Sequence, residues 1–353
     1  RLNFSYTTYR LKFGLSVQDA RVWGQDASTI NRNTVQDNNG LMLHEAWAEL
    51  GITDSTDQKH NLSLKIGRQE IVFDDQRLIG NLDWLQQARR HDAAILKYAA
   101  DNWNLQLGAA FNQNKENSSG TVYNPVPPGN YPANTNGAST YKSFEFGHAN
   151  RKWKKGNISF LFFSDQFSKY VSDSSAKKWE TGSWTRFTTG FYFTYKLNRT
   201  SLTASSYYQG GKTFSGQNLS AGLLSAFISY DLSSKISAGP GIDFTSGGSH
   251  GGTSHAFDPL YGTPHKFWGL MDYFYAASPF GSKGLVDYYL KSKFSLSEKF
   301  QVAGDVHQFF SASKVEDNNQ YLNRNFGTEA DVVGNYYLTK IIGFELGYSH
   351  FFS

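Results

Sequence analysis

The chain has 353 residues, of which 39% are apolar, 16% aromatic and 18% charged, with no cysteine and a formal net charge of +4. The missing cysteine excludes disulfide frameworks, cysteine-based zinc sites and thiol catalysis, and the aromatic content excludes a disordered chain. The 34 basic residues are scattered, so no nucleic-acid footprint is visible, and no apolar run approaches the roughly 18 to 20 residues of a transmembrane helix.

From end to end the sequence alternates apolar and polar residues with period two. The pattern is clear at Tyr9 to Val17, Asn61 to Ile66, Trp103 to Asn112, Phe187 to Leu197, Lys235 to Phe244, Gly284 to Phe294 and Ile341 to Phe351. About sixteen such segments are counted by this criterion. The nearest approach to helical spacing is Asn81 to Arg90, expected as a short helical turn inside a loop.

Short and long connections alternate strictly along the chain. The short ones are Thr7-Thr8, Thr53 to Lys59, Asp101-Asn102, Lys154 to Gly156, Asn198-Arg199, Ser233-Ser234, Ser295 to Glu298 and Thr339-Lys340. The long ones are Gln25 to Gly40, Asp74 to Arg90, Lys115 to Thr140, Ser172 to Ser183, Lys212 to Asn218, Ser246 to Lys283 and Ser313 to Asn325. Tight turns at one end and long loops at the other predict an all-β chain: a transmembrane antiparallel up-and-down β-barrel forming a single domain over residues 1–353. A soluble β-sandwich is the bland alternative, disfavoured by the length of the array and the charge on its polar face. Aromatics near strand ends, Trp23, Trp47, Trp84, Trp103, Trp153, Trp179, Trp184, Tyr336, Tyr337 and Phe351, are expected to form interfacial girdles. The alternation puts both chain ends on the long-loop side. A further strand at each end would return both to the other side, so about 18 native strands are expected, with about 16 in this chain and the first and last missing. A native barrel of about sixteen strands is the competing reading.

Three stretches carry a family resemblance. They are Gly67-Arg68-Gln69-Glu70-Ile71-Val72-Phe73-Asp74-Asp75-Gln76-Arg77-Leu78-Ile79-Gly80 with Trp84, Arg90 and Asp92; Val17 to Gly24 with Glu45-Ala46-Trp47; and Phe257 to Asp272. In this order, over nearly the whole chain, they resemble the alginate export porin family. The resemblance implies an eighteen-stranded monomeric barrel in the cell outer membrane, in contact with membrane lipid, that passes an anionic polysaccharide. It also implies a lid-like segment over Ser246 to Lys283, part of it folded into the pore.

The alternation assigns Arg10, Lys12, Lys65, Arg186, Lys196, Lys291 and Lys293 to the inner face, with Glu45, Glu49, Glu145, Asp243, Asp305, Glu329, Asp331 and Glu345, and Asp165 ambiguous in phase. An alginate channel is expected to be electropositive, whereas this mixture makes a polar or related solute an equal expectation. Arg68 falls in phase with Leu62, Leu64 and Ile66, which aims it at lipid at a cost of roughly 2–4 kcal/mol near the midplane. A β-bulge is expected to turn it inward, and the same argument covers Asp19 and Arg21. The functional expectation is a constriction in which Arg21, Arg68, Arg77, Arg89 and Arg90 face Asp19, Glu45, Glu49, Asp74, Asp75 and Asp92. The alternative is that these are salt bridges bracing the wall and plugging the bore.

No enzyme is expected. Asp305 and His307 share a face, and Gly247-Gly248-Ser249-His250-Gly251 matches G-x-S-x-G, but no helix pattern follows as a nucleophile elbow requires. No metal site and no cofactor are expected, since the spacing of Glu329, Asp331 and Glu316-Asp317-Asn318-Asn319 is not that of a calcium loop. Three functions remain: a channel for an anionic or polar oligosaccharide, an unselective diffusion porin, and a structural or accessory barrel within an outer-membrane assembly.

Overall fold

The computed structural model describes residues 1–20, 41–54, 60–85, 88–112, 141–173, 176–275, 282–317 and 320–353. In chain order the strands are β1 (Leu2–Thr7), β2 (Leu11–Gln18), β3 (Met42–Gly51), β4 (His60–Gln69), β5 (His91–Ala100), β6 (Trp103–Phe111), β7 (Ser143–Trp153), β8 (Gly156–Asp173), β9 (Ala176–Leu197), β10 (Thr200–Lys212), β11 (Asn218–Asp231) and β12 (Ile236–Thr245). They continue with β13 (Ser249–His250), β14 (Thr253–Ser254), β15 (Leu285–Ser295), β16 (Phe300–Ser311), β17 (Glu316–Asp317), β18 (Gln320–Tyr321), β19 (Asn325–Tyr337) and β20 (Gly343–Phe352). One sheet holds 18 of them. β13 and β14 are two-residue strands in a loop, so sixteen wall strands remain, each antiparallel to its neighbour in sequence. Among the described residues no ladder joins β1 to β20, and no helix is long and apolar enough to cross a membrane.

Register gives the wall two chemically distinct faces. On β6, Trp103, Leu105, Leu107 and Phe111 point outward and are exposed, while Gly108 and Ala110 oppose the inward Phe146 and Phe144 of β7. Phe13, Leu15, Ile66, Leu96, Phe160, Phe162, Phe191, Leu224, Leu290, Val306 and Leu346 continue the exposed belt. Outward apolar side chains left uncovered over so many strands are what hydrocarbon solvates, and the ladder satisfies the backbone that water cannot reach.

The short turns expected at Thr7-Thr8, Asp101-Asn102, Lys154 to Gly156, Asn198-Arg199, Ser233-Ser234, Ser295 to Glu298 and Thr339-Lys340 are present, and the helical turn is a single 3-10 turn at Asp83–Leu85. Most of Thr53 to Lys59 and of the long connections Gln25 to Gly40 and Lys115 to Thr140 lies outside the described residues. Two expectations change. The connection expected over Ser172 to Ser183 is mostly strand, because β8 and β9 stay paired to Asp173 and Ala176. Of the expected girdle residues, Trp47, Trp184, Tyr337 and Phe351 lie on the inner face by register and Trp84 sits on an interior loop, while Trp23 lies outside the described residues.

β-bulges occur elsewhere than at Arg68. One falls between Ser16 and Val17, where β3 places His44 and Glu45 against a single step of β2 and turns both inward. The other lies between Phe309 and Phe310. The ladders through Arg68, to Ala46 on one side and Asp92 on the other, run without a shift. Beside it, Gly67 has φ +127° and lies against the backbone of Ala46 and Trp47, where a Cβ would collide. Gly67→Val is expected to shift the folding equilibrium about 5- to 150-fold toward the unfolded chain, from strain of order 1–3 kcal/mol. The heat-modifiable folded band on SDS gels measures this, with Ile66→Val as the control that retains it.

Candidate functional site

Two loops enter the bore from the long-loop end, described at residues 70–85 and 88–90 between β4 and β5 and at residues 246–275 and 282–284 between β12 and β15. They zip together through a parallel bridge between Ile79 and Tyr261. Gly80 N donates to Tyr261 O (2.9 Å), Tyr261 N to Leu78 O (2.9 Å) and Thr263 N to Gln76 O (2.8 Å). Ile71, Phe73, Leu78 and Ile79 from the first loop join Phe257, Leu260, Tyr261, Trp268 and Tyr275 from the second in one apolar cluster. Its wall side is Phe144, Phe146, Leu161, Phe163, Leu223 and Phe309. Among the described residues, eight of the ten non-glycine residues with positive φ fall in these two loops, among them Asp74, Gln76, Leu260, Trp268 and Tyr275. Such strain persists only where surrounding contacts fix it, so the loops form a wedge of defined shape.

Buried charges tie the wedge to the wall. Arg186 of β9 grips Asp165 of β8 with two hydrogen bonds (3.0 and 2.6 Å) and reaches Asp258 of the second loop at 3.0 Å. Tyr261 donates its hydroxyl to the same Asp165 at 2.8 Å. From the first loop, Arg77 donates to Asp243 of β12 at 2.7 Å, lies 3.5 Å from Asp75, and stacks 3.8 Å from the Phe267 ring centre. Burial alone would lower the Arg77 pKa, but Asp243 and Asp75 outweigh it and hold it above the ordinary value. Burial pushes Asp75 up despite Arg77. Asp74 accepts from Ser159 Oγ at 2.5 Å and lies 3.5 Å from His148. Arg89 donates to Gly262 O at 3.0 Å, and burial pushes it down to about 10 against the pull of Tyr261 and Asp258. On β19, buried Glu329 accepts from Met271 N at 2.8 Å and Asp331 from Leu270 N at 3.4 Å.

A second group of bore charges stays partly exposed. Lys12 and Lys65 flank Glu49 in register, and Glu49 accepts from Ser63 (2.7 Å) and Lys97 (3.1 Å). Lys65 sits 3.9 Å above the Trp47 ring centre, and Glu45 accepts from Glu70 N at 3.1 Å. Between β15 and β16, Lys291 pairs with Asp305 at 3.2 Å. Near the loop end, Glu70 bonds His44 (2.6 Å), Asn81 (2.9 Å) and Arg1 (3.2 Å). Burial would raise the Glu70 pKa, but His44, Asn81 and Arg1 outweigh it and hold it low.

The expected constriction is thus partly redistributed. Arg68 and Asp92 face outward and pair with each other through two 2.8 Å bonds, because no bulge intervenes to turn Arg68. Glu145 also faces outward, opposite Ala109, where it accepts from Gln166. Arg10 sits at a tight turn, 3.5 Å from Asp54. Asp19 is exposed just past the end of β2. Arg90 ends the first loop, near Arg68, Asp92 and Arg1. Arg21 lies outside the described residues. Asp165, ambiguous in phase, is inward and buried. Lys97, Asp258, Tyr261 and Asp287 were not anticipated as site residues, and His307, picked out for sharing a face with Asp305, pairs with Asp287 at 2.8 Å instead. Lys97 was legible from the alternation Ile95, Lys97, Ala99, whereas Asp258 and Tyr261 belong to a loop without periodicity. Among the described residues no group of three or more His, Cys, Asp or Glu is placed to hold a metal, and the G-x-S-x-G stretch is a two-residue hairpin arm in a loop.

A family model described as alginate export matches residues 5–353. No curated protein shows significant similarity. Among solved structures, a BenF-like porin from Pseudomonas fluorescens Pf-5 superposes with TM-score 0.57 at 10% identity, covering 99% of this chain and 84% of that one. Pseudomonas aeruginosa OccK5 (OpdH) gives 0.54 at 12% identity over 99% and 85%, and P. aeruginosa OpdQ gives 0.52 at 14% over 99% and 83%. These likenesses establish the fold.

The clamp on the wedge is testable. In the double variant Glu329→Ala with Asp331→Ala, two backbone N–H groups lose charged acceptors, each bond worth about 1.5–3 kcal/mol. The second loop is expected to leave the bore at least about tenfold more often, read as frequent large-amplitude current steps in a planar bilayer. Unchanged current traces would mean that the apolar cluster alone holds it.

Proposed function

The chain belongs to the alginate export family and is an outer-membrane β-barrel channel, and we propose that its solute is an anionic or polar oligosaccharide, alginate or a relative of it. The observation that carries this reading is the inner surface of β2–β5, where Lys12, Lys65 and Lys97 surround Glu49 with their ammonium groups partly exposed. Partly hydrated cations spaced along a wall attract a carboxylate and release it again, which conduction requires. Buried charges such as Arg77 and Arg186 already have two acidic partners each and serve the wedge. The field expected of Arg68 and Asp92 is therefore replaced by the partly exposed charges of the Lys-rich wall, with the Lys291–Asp305 pair elsewhere on the inner face.

In this mechanism the wedge narrows the bore from one side, and the solute threads between it and the remaining wall. Uronate carboxylates step between lysines while Glu45, Glu49 and Asp305 keep each dwell short by competing for the same cations. One observation favours a second reading, an accessory barrel closed by its loops: the apolar cluster of the wedge spans from β5 to β16. Contact is with membrane lipid on the outer face under either reading.

Single-channel recording decides between them. The expected result is an open, anion-selective conductance, from reversal potentials in a salt gradient, that oligouronates block. The charge reversals Lys65→Glu and Lys97→Glu together are expected to turn the selectivity toward cations and abolish the block. A closed channel would favour the accessory barrel, and conductance without selectivity or sugar block would favour a diffusion porin.

A further inference from the structure

Among the aromatic residues of the wedge, Phe257, Tyr261, Trp268 and Tyr275 are each 1% exposed, and Tyr273, though 51% exposed, rests on Phe351 of the wall. Trp84 is 55% exposed. An indole left half bare on a loop otherwise packed into an interior marks a surface kept for something else. Nor is the ring loose. It is carried on the turn Asp83–Leu85 and stacks on His265 of the opposite loop at 3.9 Å and 24°. His265 is held by Asp272 at 2.8 Å, and the neighbouring Leu82 N donates to Thr263 Oγ1 at 3.1 Å. Both loops therefore fix the plane of the indole before any ligand arrives, which lowers the entropy cost of binding.

We propose that Trp84 is a stacking platform for a pyranose ring at the loop-side mouth of the bore, with Asp83, Arg1 and the His265–Asp272 pair binding the ring hydroxyls. The level follows from Arg1, at the loop-side start of β1, whose guanidinium bonds Asp83 at 2.7 Å and Gln18 at 2.9 Å. The negative face of an indole favours the C–H edge of a sugar ring, which carries partial positive charge. Next to it, the Asp83 carboxylate is 59% exposed in its side chain and keeps acceptor capacity for hydroxyls while Arg1 offers donors. A simple cation fits less well, because Arg1 already neutralises Asp83. A hydroxylated ring leaves that ion pair intact and adds bonds to its edges. An interfacial role against lipid is excluded by the stacking on an interior loop. Acidic Glu70, Asp83 and Asp272 stand here against basic Arg1 and Arg90, so this subsite reads the ring and its hydroxyls, while the lysines below read the carboxylate.

The inference rests on the saccharide-channel reading, and the experiment separates the two. Blocking dwell times of an oligoguluronate and of a neutral cello-oligosaccharide of equal length are measured on the full chain in planar bilayers. Trp84→Ala is expected to shorten both dwell times about tenfold, and Trp84→Tyr to restore most of the loss. Trp103→Ala, on the outer wall, is expected to leave them as they are. In detergent, either sugar is expected to quench tryptophan emission of the unaltered protein, and the quench is expected to vanish in Trp84→Phe even if the alanine variant fails to insert. Equal dwell times and equal quench in the Trp84 variants would overturn the platform and leave the channel standing. Absence of block by both sugars in the unaltered protein would overturn both.

Discussion

Inside hydrocarbon every backbone N–H and C=O must be paired within the protein, and this requirement organises the whole molecule. The chain meets it with sixteen wall strands in one antiparallel ladder, whose period-two alternation then sorts side chains between lipid and bore. A barrel of this size is wider than its inward side chains can fill, so the interior is furnished by loops. Those loops bring backbone groups of their own, and inner-wall side chains satisfy them. Gln209 bonds Asp258 in both directions, Nε2 to O at 2.7 Å and N to Oε1 at 2.9 Å, while Glu329 and Asp331 accept from the backbone of Met271 and Leu270. Much of what looks like pore lining is a set of grips on folded-in backbone.

Apolar burial supplies the energy that keeps the wedge in place, at about 1.5–3 kcal/mol for each large side chain withdrawn from water. The ion pairs do something different. A buried pair repays its desolvation only with near-ideal geometry, but removing one partner costs about 3–5 kcal/mol. Asp165–Arg186–Asp258 and Asp75–Arg77–Asp243 therefore contribute little net stability and penalise every other register of loop against wall. Slippery aromatic contacts decide that the loops pack, and the charges decide where.

The sequence made the wall legible because alternation is a local signal. Trp103 to Phe111 could be assigned to its faces residue by residue, and the structure keeps the assignment. It failed where a face was inferred from cost. Arg68 was expected to turn inward because an arginine in mid-membrane is expensive, yet Asp92 lies beside it in register on the same outer face and pairs with it near the end of the strand, where the cost is smaller. The bulge sits instead at His44, in a segment whose alternation gives no warning of it. The wedge was legible through the family resemblance, as a segment over Ser246 to Lys283 folded partly into the pore, and as charge, in Asp74, Asp75, Arg77 and Arg89. Their partners Asp243, Ser159 and Gly262 are many residues away, and no local pattern announces such contacts.

Two populations of charge consequently share one bore, and burial separates them. The side chains of Arg77 and Arg186 are each 4% exposed, whereas Lys97 and Lys291 are 33% and 32% exposed. A buried guanidinium cannot exchange its carboxylate partner for a solute without stripping water from both in a low-dielectric site. A half-hydrated ammonium can, because water and solute compete for it on nearly equal terms. The same argument applies to geometry, since lysine offers a flexible point charge where arginine offers a rigid fork suited to one fixed partner. The division of labour follows from this chemistry: arginines are spent on holding the wedge, and lysines are left on the open side. The proposed selectivity rests on the half-exposed set, while the buried set holds the wedge to the wall.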